Sequence, residues 1–416
     1  MNVLSQQLNN KIFKRFPSGV WLMTVVDMFV TIGFSIALPF LALYLHNERG
    51  LSMSVVGTIF LISGLCTAGT NMIGGMLSDR FGRRRLFITI TTVSIFAYAA
   101  LSVLIGISAP IWLIALVYIA ARSIIGTINP TVMAIAADLS PKDHLTETYA
   151  FIRVGGNVGF ALGPALGGYL MTSLSYGWLL SVSALTCLIV ALLILFFLRE
   201  SFAGGGEKVD LRSTLAVAQD RPFLVFIMFS VLLVLSVAHL GSTLSVFSVD
   251  RMGFTTAQYG LLLTTNGIMV ALTQYPVAYV VNKFSKSNGL ILGSMFYAIG
   301  YLTLGWVTNY SWAIISMVII TSGEVVFSPI SSAVVAESAP PDKRGRYMGF
   351  FALSQTIGFS LSPLFGGVLL DVFPTNNIAL WGIIASVGLV AAVGFWRWGK
   401  MKQKQITEST IIGGFL

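Results

Sequence analysis

Charge is scarce in this sequence. Only 10% of its 416 residues are Asp, Glu, Lys or Arg, while 56% are hydrophobic; a soluble domain carries about 25% charged residues. Mean hydropathy is +0.85. So few charges cannot cover a water-facing surface, which excludes a soluble globular protein and points to an integral membrane protein. Cysteine is scarcer still. The two present, Cys66 and Cys187, fall inside apolar runs and read as small packing residues, which excludes a disulfide framework and a thiolate metal site. The three histidines stand far apart, so no Ser-His-Asp or metal constellation is visible. There is no G-x-x-x-x-G-K-[ST], hence no P-loop for ATP. Polar loops are too short to hold an enzyme domain. The chain is expected not to be an enzyme and to need no cofactor.

Long apolar runs are what the sequence has in quantity. Twelve can be read, at 20–45, 53–77, 86–108, 111–137, 148–172, 178–198, 222–249, 257–281, 289–308, 312–336, 347–370 and 377–396. Each is long enough for a helix to cross a hydrocarbon core of about 30 Å. The first run is too long for a signal-peptide core and no small-residue cleavage site precedes it, so it reads as a retained helix. An even count puts both termini on one side. Taking that side as the cytoplasm, the inner segments hold 21 of the 25 Lys and Arg residues. The outer loops hold Arg49 and Arg251, and Arg122 and Arg153 lie within helices. This bias is the positive-inside rule at work. The net charge of +9 is therefore topological, and no nucleic-acid partner is expected.

One polar loop is denser than the others: Gly75-Met76-Leu77-Ser78-Asp79-Arg80-Phe81-Gly82-Arg83-Arg84-Arg85. Glycines permit a tight turn, and the arginines hold it at the inner surface. Topology does not require Asp79. The pattern G-x-x-x-D-R-x-G-R-R is filled at every position, by Gly75, Asp79, Arg80, Gly82, Arg83 and Arg84. It resembles the loop signature between the second and third helices of the major facilitator superfamily. The resemblance implies an all-α membrane protein of 12 transmembrane helices in two pseudo-symmetric six-helix bundles, with both termini cytoplasmic.

The halves of the chain repeat. Residues 199–221 are the only long polar break, and Gly204–Gly206 reads as a flexible linker. This divides the chain into 1–198, a cytoplasmic linker 199–221, and 222–416. A shift of 199 residues sets Pro130 on Pro329, Asp138 on Glu337, Gly159 on Gly358, Pro164 on Pro363, and Gly167-Gly168 on Gly366-Gly367. A shift of 203 sets Asn282-Lys283-Phe284 on Asp79-Arg80-Phe81. Transporters built from repeats bind their solutes between such halves. Because the copy lacks the carboxylate, Asp79 reads as a one-sided cytoplasmic latch, with Asp138 and the loop arginines as its partners in the family. Asp79→Asn is expected to spare folding and cripple turnover.

A charge near the bilayer centre costs about 2.5–3.5 kcal/mol on insertion scales, so each one needs a reason. Asp27 shares a helix face with Thr31, Phe34 and Leu38. It reads as a proton- or cation-binding carboxylate; pairing with a basic neighbour for packing is the alternative. Glu324 shares a stripe with Thr321, Ser328 and Ser331 and has no cation in its own helix, a setting suited to proton exchange. Arg122, with Gly126, resembles the R-x-x-x-G core of the family's fourth-helix signature, whose arginine assists proton transfer. It could instead be a structural partner of Asp27. His239 titrates near neutrality when free, but a buried histidine bonded to a backbone carbonyl is at least as good a reading. Arg153 is close enough to a helix end to snorkel.

The fifth run carries Gly159, Gly163, Pro164, Gly167 and Gly168 in the pattern G-x-x-x-G-P-x-x-G-G. Small residues four apart allow close helix contact. The full pattern is similar to the signature of the family's proton-linked drug antiporters. That resemblance implies proton-coupled efflux of small lipophilic or cationic compounds by alternating access, as a monomer in the inner membrane, with the proton gradient as energy source. Transport of a sugar, amino acid or organic acid is the alternative. Asp27, Glu324 and Arg122 are the expected proton and substrate sites. Phe34, Asn157, Asn266, Tyr275 and Phe327 are candidate cavity residues.

Overall fold

A computed structural model describes residues 16–140, 144–200, 216–281, 283–340 and 343–413. The linker glycines and Asn282 lie outside the described residues, as do the side chains at Gly75 and Asp79. The architecture is all-helical. In chain order the helices are α1 (Ser18–Ser35), α2 (Leu38–Leu43), α3 (Met53–Phe81), α4 (Arg83–Gly106), α5 (Ile111–Gly126), α6 (Ile128–Leu139), α7 (Leu145–Leu170) and α8 (Tyr176–Phe197). They continue as α9 (Arg221–Val237), α10 (Thr243–Val246), α11 (Thr256–Val281), α12 (Lys286–Leu304), α13 (Tyr310–Ser338), α14 (Arg344–Val372) and α15 (Asn377–Gly413).

All twelve expected runs are helical. Among the described residues, eight helical stretches are long and apolar enough to cross a membrane by themselves. Three runs expected as single helices are broken. The run at 20–45 divides into α1 and α2 just before Pro39, and that at 111–137 into α5 and α6 just before Pro130. Proline brings no N–H and crowds the preceding turn, so each proline sits in the first turn of a new helix. The run at 222–249 divides around Gly241.

Helix starts follow local chemistry. Asp220 accepts a hydrogen bond from the Phe223 N–H (3.1 Å), and Asn309 from the Trp312 N–H (2.9 Å), each answering a donor that the helix leaves unpaired. Gly82 joins α3 to α4 with φ of +88°, a conformation that a side chain would strain.

The chain packs as two units. One comprises Met1–Leu38 with Cys66–Lys208, the other Pro39–Leu65 with Val209–Leu416. In the first unit α1 lies against α7 and α8, and α4 against α8. The α1–α7 seam is made by glycine. A Cβ on Gly155 would fall 2.3 Å from the Thr24 carbonyl oxygen, and one on Gly159 would fall 2.5 Å from that of Met28. Ser35 Oγ, packed on Gly163, bonds the Thr31 and Gly159 carbonyls at 2.7 and 3.3 Å. Two glycines of the fifth-run motif, Gly159 and Gly163, thus let α7 approach α1 closely.

In the second unit α12 lies against α13 and α15, and α9 against α14 and α15. Residues 39–65 complete this unit. Asp371, near the end of α14, accepts hydrogen bonds from the N–H groups of Met53 (3.0 Å) and Ser54 (2.7 Å). It thereby caps α3 with a carboxylate at its positive end. Gly57 packs against the Leu364 backbone and Gly64 against Ser360. Asn47 donates to Asp250 at 2.6 Å.

Candidate functional site

The described intramembrane charges divide between the units. In the first, α1 presents Asp27, which is 8% exposed. Its Oδ2 lies where a side chain on Gly156 of α7 would stand, at 2.7 Å from an added Cβ, so the glycine makes room for the carboxylate. Thr31 and Phe34 continue the same face, partly exposed. Among the described residues no ion pair or hydrogen bond reaches Asp27. Packing holds the group in place without neutralising it.

Arg122 of α5 does not meet Asp27. Its guanidinium lies over the Phe34 ring, 4.4 Å from the centroid, and beside the Tyr98 hydroxyl. A guanidinium over an aromatic face gains electrostatic attraction without a counter-ion. Arg122, Phe34, Tyr98, Tyr118 and Tyr176 line a small recess, with Gly33 at its edge. Tyr176 donates to the Ala37 carbonyl at 3.2 Å. The three tyrosines were not among the residues expected from the sequence. Tyr118 had a signal, since it stands one turn before Arg122 on α5. Tyr98 and Tyr176 come from other helices and had none.

In the second unit Glu324 of α13 is held differently. The Asn266 amide of α11 donates to Glu324 Oε2 at 2.9 Å and to Thr321 Oγ1 at 3.0 Å. Asn266 and Thr321 are buried, while Glu324 is partly exposed. Tyr297 of α12 adds its hydroxyl to the neighbourhood of the carboxylate. This cluster gathers a carboxylate, an amide and two hydroxyls, a set able to exchange a proton or to ligate a hard cation.

The remaining candidates fall elsewhere. Phe327 packs into the helix interior against Gly293 and Phe395, with ring centroids 5.8 Å apart. Tyr275 is 84% exposed, and Asn157 partly so. His239 is fully buried between Thr243 Oγ1 (3.0 Å) and Ser362 Oγ (3.2 Å) and beside Tyr301 and Trp381. That is the packed-histidine reading. Arg153 is exposed.

At the loop, Arg83 pairs with Asp138 at 2.5 Å and also donates to the Ala134 carbonyl. Arg84 donates through its side chain to the Leu195 carbonyl (2.7 Å), and its backbone N–H donates to Glu200 (3.2 Å), a partner not foreseen. Arg80 is exposed.

The chain is similar to known proteins over most of its length. The family model described as Major Facilitator Superfamily matches residues 23–259 and 223–410. The MFS-type transporter YttB of Bacillus subtilis is 27% identical over 86% of this chain and 89% of its own. A Na(+), Li(+), K(+)/H(+) antiporter of Planococcus maritimus is 23% identical over 82% of this chain and 87% of its own. The quinolone resistance protein NorA of Staphylococcus aureus is 21% identical over 82% and 87%. Among solved structures, the nucleoside transporter NupG superposes with a TM-score of 0.78 at 15% identity, covering 91% of this chain and 99% of that one. The chain belongs to the Major Facilitator Superfamily, and is accordingly a multi-pass membrane transporter of small molecules rather than an enzyme.

Proposed function

We propose that this transporter exports small lipophilic or cationic compounds in exchange for protons, by alternating access of two six-helix bundles. In this reading the bundles span 1–198 and 222–416, joined by the cytoplasmic segment 199–221. Twelve helices cross the inner membrane with both termini inside, and the protein works as a monomer. The observation that carries the reading is Asp27: a buried carboxylate with no counter-ion among the described residues, set against Gly156 of α7. An unpaired charge at that depth is costly and does not serve stability, so a mobile cation or proton is its natural occupant. Glu324, with Asn266 and Thr321, supplies a second protonatable site. Asp79 acts as the cytoplasmic latch. The test is dye efflux from vesicles under an imposed proton gradient. Normal rates with unchanged pH dependence in both Asp27→Asn and Glu324→Gln would overturn the assignment.

A second reading is exchange of an alkali cation for a proton. The oxygen-rich group at Glu324 and the similarity to the Planococcus maritimus antiporter favour it. Oxygen ligands suit hard cations. Vesicles loaded with a pH dye and pulsed with NaCl, KCl or LiCl separate the two readings, since only the second releases protons on salt addition without a dye substrate.

A further inference from the structure

We propose that the first unit is a two-point site for zwitterionic solutes, with Asp27 taking the cationic end and Arg122 the anionic end. It rests on the reading that Asp27 contacts the transported solute. Three observations carry it.

The first is that, among the described residues, neither charge has a counter-ion. The ion pairs among the described residues join His46 to Asp250, Arg83 to Asp138, His144 to Glu147 and Lys286 to Glu337. Asp27 and Arg122 enter none of them, although they are opposite charges in one unit. Side chains selected to neutralise each other would pair. These are kept apart.

The second is the spacing. Arg122 is held over Phe34, which lies seven residues beyond Asp27 on α1. Seven residues are two turns, which returns to the same helix face about 10 Å away. The intervening position on that face is Thr31, a small residue. One side of α1 therefore offers a negative pole and a positive pole separated by the length of a compact drug-sized molecule.

The third is the recess around the positive pole. Tyr98, Tyr118, Tyr176 and Phe34 surround the guanidinium with aromatic walls and phenol hydroxyls. It is small. A guanidinium with several N–H donors binds a planar carboxylate in two-point fashion. An aromatic body between the two charged ends would lie along Thr31 and Phe34.

A zwitterion supplies both counter-charges at once. A simple cation leaves the guanidinium unsatisfied, and a simple anion leaves the carboxylate unsatisfied. With Asp27 occupied by the solute, Glu324 stays free for the coupled proton.

The probe is 4-(piperazin-1-yl)benzoate, whose ammonium and carboxylate are held apart by two rigid rings. Its methyl ester keeps only the cation, and its N-acetyl derivative keeps only the anion. Binding of all three to the full-length protein in detergent is measured by calorimetry, and uptake is measured in proteoliposomes. The expected result is affinity for the zwitterion about tenfold or more above that for either blocked form. Arg122→Gln should bring the zwitterion down to the level of the ester while leaving the ester unchanged. Asp27→Asn should bring it down to the level of the N-acetyl form. Equal binding of zwitterion and ester by the unaltered protein overturns the proposal, with no variant needed. Proton-driven movement of the ester without preference for the zwitterion also overturns it, while leaving the efflux reading intact. Selective zwitterion binding with no response to a proton gradient supports it and removes the efflux reading instead.

Discussion

The two halves build one seam twice and load it differently. In the first, α7 packs on α1 through Gly159, whose neighbours are Met28 and Thr31. In the second, α14 packs on α9 through Gly358, the repeat partner of Gly159, whose neighbours are Val231 and Val234. That correspondence sets Ser230 at the position of Asp27. Ser230 is buried and its hydroxyl finds no partner among the described residues. The second half thus keeps the seam and omits the charge. Its carboxylate stands on α13 instead, bonded to Asn266. The same packing device works with or without a carboxylate beside it, so Asp27 is not a requirement of the seam. One carboxylate is free for a visitor, and the other already has company.

The largest expected effect tests that difference directly. Asp27→Asn should lower proton-driven transport about a hundredfold or more, the scale of losing one partner of a buried charge pair. Its melting temperature should stay equal or rise, because a costly buried charge is removed. Thermal unfolding beside vesicle transport checks both. A stable protein with normal transport would make Asp27 the structural member of the pair.

Packing comes next. Gly159→Ala drives a methyl into the Met28 carbonyl, so overpacking of about 1–3 kcal/mol is expected. Gly358→Ala meets Val234 Cγ1 and Cβ at 2.8 and 2.9 Å and a backbone oxygen only at 3.2 Å, a looser fit than the 2.5 Å contact at Gly159, so it should cost less. Equal losses of thermal stability would show that the seams are not distinguished by what they press against.

Asn266→Ala removes a hydrogen bond to a charged group, worth about 1.5–3 kcal/mol. Transport should fall about tenfold and its pH dependence should shift, while Ser230→Ala should leave both unchanged. The smallest effect belongs to the loop. Arg83→Ala loses its ion pair with Asp138 and its bond to the Ala134 carbonyl, so its unfolding midpoint should correspond to about 0.5–1.5 kcal/mol less stability.

How much of this could be read from residues alone follows from range. Each apolar run announces a helix, and Pro39 and Pro130 mark two of the breaks because proline acts on its own turn. Asp27, Arg122 and Glu324 stand out because charge is rare in such runs. The glycines of α7 were legible as a close contact, but not that the contact is with α1. Arg122 over Phe34 was not legible either. Spacing within one helix shows which residues share a face, whereas the meeting of α5 with α1 depends on packing between distant segments. Asn266 and Glu324, on separate helices, were named separately and become one cluster only in three dimensions. Asp371 passed unnoticed, because a carboxylate at a helix end looks the same whether it faces water or caps a helix 317 residues earlier.

That cap has a consequence for anyone who cuts the chain. The packing boundary lies at residues 38 and 65 as well as near 208, so 39–65 packs with the second unit although it belongs by sequence to the first half. A fragment ending at the linker carries 39–65 without the backbone of α14 that buries it. Expressed alone it should aggregate, and expressed beside its counterpart it should reassemble into a working protein. Two pieces that function only together would be the biochemical signature of a strand of sequence lent by one half to the other.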